Sequence, residues 1–272
     1  MKSFQTFTLI TGASSGIGLE MAKLLAARGH NLLLTARSKD KLSEIALQLE
    51  SHHGIAVHVF PADLATPGAA EQLYRDARES HYLVTHLVNN AGTGAYGTFT
   101  DLPLDADVRM VQLNVTALVT LSKLFGRDMV LRKEGRILNV ASLLSFLPFP
   151  NYSVYSGTKA FVLAFSETMA AELEGSGVVV TTLCPGPTDT TFNSAEMLNT
   201  NAYKANKPVS PKKVAAEGVK LLLEGHGKKI VGFNNWFISN LPRITPDVVM
   251  MRIKKQLASQ RNNQFSTKNK LP

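Results

Sequence analysis

The chain has 272 residues, 44% apolar and 18% charged, which suits a soluble globular protein with one large core. No apolar run approaches the ~20 residues needed to span a bilayer, and the lone Cys184 rules out an internal disulfide. The net charge of +8 sits wholly in residues 228–272, where nine Lys and Arg face Asp247 alone; with no stacking aromatics interleaved and no reading module, nucleic-acid binding is not expected.

The first strand candidate, Phe7 to Thr11, begins within a few residues of Met1, so no removable targeting segment is expected and a cytoplasmic location follows. This run passes into Gly12-Ala13-Ser14-Ser15-Gly16-Ile17-Gly18 and then a helical pattern through Leu19, Met21, Ala22, Leu24 and Leu25. Strand, glycine turn and helix in that order suit a pyrophosphate. Gly12 permits the tight turn, Gly16 lets backbone amides approach the anion, and Gly18 allows the helix to pack close on the strand. Asn31 to Ala36 reads as the second strand. Where an NAD-binding domain offers an acid to the adenosine ribose, this chain has Arg37, whose guanidinium suits a 2′-phosphate; NADP is therefore expected over NAD. Ser38 stands where it can cap a helix running to about Ser51.

Ile55 to Phe60 is a third strand leading to Asp63-Leu64, and Leu83 to Asn90 a fourth leading to Asn90-Ala91-Gly92. The alternation of strands and helices predicts an α/β fold with a doubly wound parallel sheet, whose ligands collect at the carboxyl ends of the strands. Asn89 and Asn90 lie at that edge, where their amides can tie strands together and hold the loop under a cofactor. Leu104 to Leu131 carries one long helical periodicity, and Asn114 within it reads by itself as a satisfied helix asparagine. Gly135 to Ser142 is a fifth strand with a hydroxyl at its end.

Thirteen residues after Ser142 comes Tyr155, followed by Lys159 one helical turn on and on the same face. A lysine ammonium beside a phenol favours the phenolate and draws its pKa down from about 10, toward the range useful for proton exchange near neutrality. Ser142 and Tyr155 can then hold one carbonyl oxygen across a cleft. No suitably placed Asp and His accompany Ser142, and the seven histidines lack metal-ligand spacing, so neither a serine hydrolase nor a metal enzyme is supported. Val178 to Leu183 is a sixth strand, followed by Pro185-Gly186-Pro187-Thr188-Asp189-Thr190, a stiff loop able to bracket a ring and its carboxamide. Thr191 to Pro208 is polar and aperiodic, as expected of a mobile flap over a pocket. A helix near Val214 to Leu223 and a strand near Ile230 complete the sheet. In the tail, Thr245-Pro246-Asp247 reads as a helix start, and Val249, Met250, Ile253 and Leu257 form an apolar stripe with Arg252, Lys254 and Lys255 outside it. Packing of that stripe on the body or on a second subunit is expected, with peripheral contact to an acidic membrane surface as the alternative and residues 262–272 solvated.

Taken together, Thr11-Gly12-x-x-x-Gly16-x-Gly18, Asn89-Asn90-Ala91-Gly92, Ser142, Tyr155-x-x-x-Lys159 and Pro185-Gly186 occur in the order and approximate spacing of the short-chain dehydrogenase/reductase family, which the chain resembles over about Phe7 to Val231. The resemblance implies a three-layer Rossmann fold with a seven-stranded parallel sheet. It places residues 1–232 in the dinucleotide-binding and catalytic domain, with 233–272 as a basic helical extension. It further implies that Tyr155 is the acid/base, that Ser142 orients the substrate oxygen, and that Lys159 binds the nicotinamide ribose and lowers the tyrosine pKa. Asn114 would support a proton relay through water. By the same analogy Asp63 and Leu64 approach the adenine, Asn90, Ala91 and Gly92 the adenosine side, and Thr188 and Thr190 the carboxamide. The family's NADP-type members often carry a basic residue just before the second glycine; Ser15 stands there, leaving Arg37 as the main 2′-phosphate contact. A homodimer or homotetramer on the long helices is also implied.

The expected reaction is NADPH-dependent reduction of a carbonyl compound, or the reverse oxidation of its alcohol. Leu143, Leu144, Phe146, Phe149, Tyr152 and Phe192 suggest a bulky apolar ketone or aldehyde. Reduction of a 3-oxoacyl thioester, with Lys204, Lys207 or surface arginines meeting a phosphopantetheine carrier, is a competing reading. A cofactor-binding sensor, or a peripheral membrane protein with little turnover, is the alternative of another class.

Overall fold

The computed structural model describes residues 5–243 and 245–260, without the side chains of Lys204 and Arg243. Seven strands form one sheet among the described residues: β1 (Thr6–Thr11), β2 (Asn31–Thr35), β3 (Val57–Val59), β4 (Leu83–Asn89), β5 (Gly135–Val140), β6 (Val178–Cys184) and β7 (Gly227–Ile230). Their order is β3-β2-β1-β4-β5-β6-β7 and every pairing is parallel. The chain thus runs outward from β1 to one edge, returns, and fills the other half from β4. The loops after β1 and β4 part at that reversal, which opens a crevice at the carboxyl edge.

The helices are α1 (Gly16–Ala26), α2 (Lys39–His53), α3 (Ala69–Glu79), α4 (Leu104–Val111), α5 (Leu118–Arg132), α6 (Ser153–Glu172), α7 (Ala195–Leu198), α8 (Asn201–Ala205), α9 (Pro211–Glu224), α10 (Phe233–Asn240) and α11 (Asp247–Ala258). Side chains alternate across each strand, so the sheet feeds two cores. Ile10, Leu32 and Leu34 pack with Met21 of α1, Leu42 of α2 and Val219 of α9, while Leu9, Leu33 and Leu87 pack with Leu73 of α3 and Leu121 and Phe125 of α5. Both faces are covered, as a parallel sheet requires.

Several boundaries differ from those the sequence suggests. The third strand is only Val57–Val59, although Ala56, Phe60 and Ala62 continue to bond the chain of β2 and Ala36 beyond it. Ser38 occupies the N-cap position of α2 without a side-chain bond to it. The helical run from Leu104 is interrupted by a π-helix at Gln112–Ala117, which side-chain periodicity alone does not reveal. Residues 191–208 are not a featureless flap: Ser194 caps α7 and Thr200 caps α8 through backbone N–H bonds to their hydroxyls, and Met197 and Thr200 are buried. Helix α11 starts at Asp247 with Pro246 as its N-cap. Its buried residues are Met250 and Ala258, with Leu257 half-buried, whereas Val249 and Ile253 of the expected stripe face outward. The expectation for residues 262–272 lies outside the described residues.

No helix among the described residues is long and apolar enough to cross a membrane. Cys184 is buried, and burial pushes its thiol up to about 12, in keeping with a packing role.

Candidate active site

One large cleft, about 1050 Å³, runs along the carboxyl edge of the sheet. At its first end Gly12 turns the chain out of β1 with φ +67, and a Cβ there would lie 2.9 Å from Ala91 Cα. Ser14, Ser15, Gly16 and Ile17 form the wall above it, whereas Gly18 lies behind, where a side chain would collide with the Gly12 carbonyl and the Asn90 amide. Ser15 is the N-cap of α1 and makes no side-chain bond to it, so the opening amides of α1 point at the cleft without a side-chain partner. That is a receptacle for an anion.

Farther along this end Arg37 lines the cleft together with Lys41, in the first turn of α2. The sequence does not single out Lys41, because Arg37 lies before the extended N-cap Ser38 and shares no helical face with it. Asp63 and Leu64 line the same region. Burial would raise the Asp63 carboxyl, but a 2.7 Å bond from Arg109, the Ala65 N–H and the nearby Arg37 charge hold it below its ordinary value. Asn90, Ala91 and Gly92 form the floor. Asn90 Nδ2 donates to the Thr11 carbonyl, and the backbone N–H groups of Asn90 and Ala91 both donate to Thr11 Oγ1. The neighbouring Asn89 ties β4 to β5 and α5 through Asn139 and Ser122.

The second end holds the chemistry. Ser142 follows β5 and caps the 3-10 turn Leu143–Ser145, its Oγ accepting the Leu144 N–H at 3.1 Å. The Ser142 proton is thereby left to point elsewhere. Tyr155 and Lys159 rise from the first turns of α6 into the same wall. Lys159 is buried, donates to the Val140 carbonyl at 2.8 Å, and lies 6.0 Å from the centre of the Tyr155 ring.

The expected effect of the lysine on the tyrosine is not what the structure shows. Burial pushes the Tyr155 phenol up to about 12, with the Ser142 hydroxyl pulling the other way, and burial also brings Lys159 down to about 8. Both shifts follow from the cost of removing charge from water, and the ammonium is directed at a backbone carbonyl.

Asn114 lies within the π-helix and is buried rather than exposed in the cleft wall. Its Oδ1 accepts the Thr93 N–H, and its Nδ2 donates to the Thr93 carbonyl and to Thr158 Oγ1. A Cβ on Gly92 would lie 3.3 Å from Asn114 Oδ1 and 3.4 Å from Lys159 Nζ, so both groups flank one glycine.

Pro185, Gly186, Thr188 and Thr190 close the cleft from the β6 side. Thr188 is anchored by a bond to the Gly186 carbonyl and by a parallel bridge to Val209. Leu143, Leu144, Phe149, Tyr152 and Phe192 supply apolar wall, but Phe146 does not; it packs with Leu118, Ala141 and Val162 behind the site. Met197 and Tyr203, from the segment expected to lie over the pocket, and Ile238 and Leu257, from the two C-terminal helices, complete the wall; of these only Ile238 lay outside any pattern read in the sequence.

The fit to a dinucleotide can be judged on these residues. Left-handed Gly12 and Gly16, the uncapped start of α1 and the Arg37–Lys41 pair offer sites for phosphates along the cleft, and its volume exceeds the ~300–1,000 Å³ of ordinary small-ligand pockets. The residues present fit the group.

Comparison with known proteins agrees with this geometry. A protein-family model for short chain dehydrogenases matches residues 6–201. The chain is 30% identical over 260 residues to a very-long-chain 3-oxoacyl-CoA reductase of Anas platyrhynchos, covering 93% of this chain and 81% of that one. A protein of the same description from Pyrenophora tritici-repentis (strain Pt-1C-BFP) is 37% identical over 179 residues, 64% of this chain and 52% of that one. Among solved structures, a short-chain dehydrogenase from Sphingobium yanoikuyae in complex with NADPH superposes with a TM-score of 0.75 at 28% identity, covering 97% of this chain and 99% of that one. The bulky-bulky ketone specific alcohol dehydrogenase from Comamonas testosteroni gives 0.74 at 27% identity, with 95% and 98% covered.

Proposed function

The chain belongs to the short-chain dehydrogenase/reductase family, nicotinamide-dependent oxidoreductases acting on CH–OH and C=O groups, and from that premise we propose that it uses NADP(H) to interconvert a bulky apolar ketone or aldehyde with its alcohol. The observation that carries this reading is the convergence of Ser142, Tyr155 and Lys159 in one wall of a cleft whose neighbouring surface is Leu144, Phe149, Tyr152 and Phe192. Arg37 and Lys41 support NADP over NAD, since two cations match a 2′-phosphate and would gain nothing from a bare ribose.

The mechanism follows from the protein's own groups. When bound, the reduced nicotinamide supplies the hydride. Tyr155, with its phenol up at about 12, stays protonated through the neutral range and donates that proton to the carbonyl oxygen. Ser142 Oγ already accepts from Leu144, so its own proton is free for the same oxygen. Two hydroxyl donors aimed at one point stabilise the negative charge that grows there. Lys159, fixed by Val140 and adjacent to Gly92, is set to hold a ribose hydroxyl. Asn114 holds the Thr93 loop and, through Thr158, the first turns of α6.

A second reading is favoured by the relatives: reduction of a long-chain 3-oxoacyl thioester, whose apolar chain would use the same wall. Tyr155→Phe tests both. Turnover should fall by about 10²–10⁴ while NADPH still binds, and wild-type rates in that variant would overturn the acid assignment. A panel of apolar ketones, acetoacetyl thioesters and long-chain 3-oxoacyl thioesters, run with NADPH and NADH, separates the two substrates.

A further inference from the structure

Helix α10 is amphipathic the wrong way round for a helix packed on a core. Its buried residues are Asn235 and Ser239, and Asn235 is fully engaged, donating to the Val231 carbonyl and accepting from Asn206. Its aromatic residues face out: Phe233 is 78% exposed and Trp236 53%, their rings stacked 6.0 Å apart, with Phe237 exposed beside them. Helix α11 packs on the body by apolar residues but also leaves apolar residues outside. Met250 and Ala258 face the body, while Val248, Val249, Met251 and Ile253 are exposed, interspersed with exposed Arg252 and Lys255.

Neither helix is a loose appendage. The Tyr96 hydroxyl donates to the Ala258 carbonyl at 2.6 Å, and Asn201 donates to the Ser259 and Gln256 carbonyls. Ile238 of α10 and Leu257 of α11 line the cleft, so the two apolar faces belong to helices that border it.

We propose that the outer faces of α10 and α11 dock this protein on an anionic lipid surface. The aromatics and aliphatics would enter the boundary between headgroups and acyl chains, where an indole ring is favourably placed, and Arg252 and Lys255 would meet lipid phosphates. Charge decides against a second copy of the chain. The charged residues of the two helices are Arg252, Lys254 and Lys255 against Asp247 alone, so a two-fold interface made from this face would set like charge against like. An anionic leaflet is complementary to it.

The protein carries one tryptophan, and it is Trp236, which makes the contact directly readable. On mixing with vesicles of phosphatidylcholine and phosphatidylserine, Trp236 emission should shift to the blue and be quenched by brominated acyl chains, with the protein co-sedimenting. Pure phosphatidylcholine should bind much less. The double variant Arg252→Gln/Lys255→Gln should weaken partitioning about 25-fold at low salt, two charges each contributing near a factor of five. Val248→Asp/Ile253→Asp should abolish it while leaving reduction of a water-soluble ketone unchanged, since neither residue lines the cleft. No emission change and no sedimentation on either lipid at low salt would overturn the proposal. So would a finding that the Val248/Ile253 variant halves the mass of a lipid-free oligomer, since the face would then join copies of the chain. The vesicle readouts do not depend on which carbonyl compound is reduced.

Discussion

The ring of Phe192 lies 5.6 Å from the ring of Tyr155, tilted by 51°. The segment after β6 thus covers the residue proposed to give up the proton, and Gly94 leaves the room for it: a Cβ at Gly94 would sit 2.8 Å from Phe192 Cζ and 3.2 Å from Tyr155 Cδ2. Phe192→Ala should therefore raise KM for a bulky apolar ketone with a smaller change in kcat, because it removes wall rather than acid. Gly94→Val should act differently, lowering kcat by pushing Phe192 and Tyr155 out of register in a protein that still melts cooperatively. Steady-state kinetics of the two variants on one substrate distinguish the effects; equal losses in both would contradict this arrangement.

Arg37 and Lys41 should govern the choice of cofactor. Removing a charge-assisted contact to phosphate costs about 1.5–3 kcal/mol, so Arg37→Ala should weaken NADPH roughly 10- to 100-fold and leave NADH nearly unchanged. Lys41→Ala, in the first turn of α2, should have an effect in the same direction. Fluorescence titration with both cofactors measures this. Parallel losses for NADPH and NADH would mean that Arg37 shapes the adenosine site without reading the 2′-phosphate.

Acid stability should depend on His86. Burial, with the charges of His30 and Arg136, brings its pKa down from 6.5 to about 4, and His30 beside it is also lowered, by burial and by Arg28. A folded-state pKa below the unfolded one means that the unfolded chain binds more protons between those values. Stability is then full above pH 6.5 and is lost as pH falls toward 4. His86 alone accounts for about 3 kcal/mol of that loss. Urea unfolding of His86→Leu should show a flatter dependence between pH 7 and pH 4 than the parent protein, and identical slopes would refute the assignment.

A buried polar ladder crosses the middle of the sheet. Asn89 Nδ2 donates to Asn139 Oδ1 at 2.9 Å, and Asn139 Nδ2 donates to Ser166 Oγ at 2.9 Å, linking β4, β5 and α6 behind the catalytic wall. Asn139→Ala leaves both neighbours short of a partner in a site closed to water and should cost about 1–3 kcal/mol. The urea midpoint should fall with m unchanged. A stability equal to the parent's would show that the ladder contributes little net energy.

The parts of this protein that the sequence by itself determined are those whose physics is local. A glycine turn between a strand and a helix, a hydroxyl at the end of a strand, and a tyrosine one turn before a lysine each draw their meaning from spacing along a few residues, and Gly12, Gly16, Ser142, Tyr155 and Lys159 all line the cleft, with Gly18 behind it. The alternation of strands and helices likewise announced the parallel sheet, because a parallel pair needs a crossover.

The tertiary structure alone decided the rest. That the Tyr155 phenol goes up and not down depends on how many atoms surround it and on Lys159 turning toward Val140, neither of which follows from a four-residue spacing. Ile238 and Leu257 reach the cleft, Phe146 does not, and α10 turns its aromatics outward, for one reason. Which face of a helix is covered is set by segments remote in the chain, and periodicity gives a stripe without saying what lies against it.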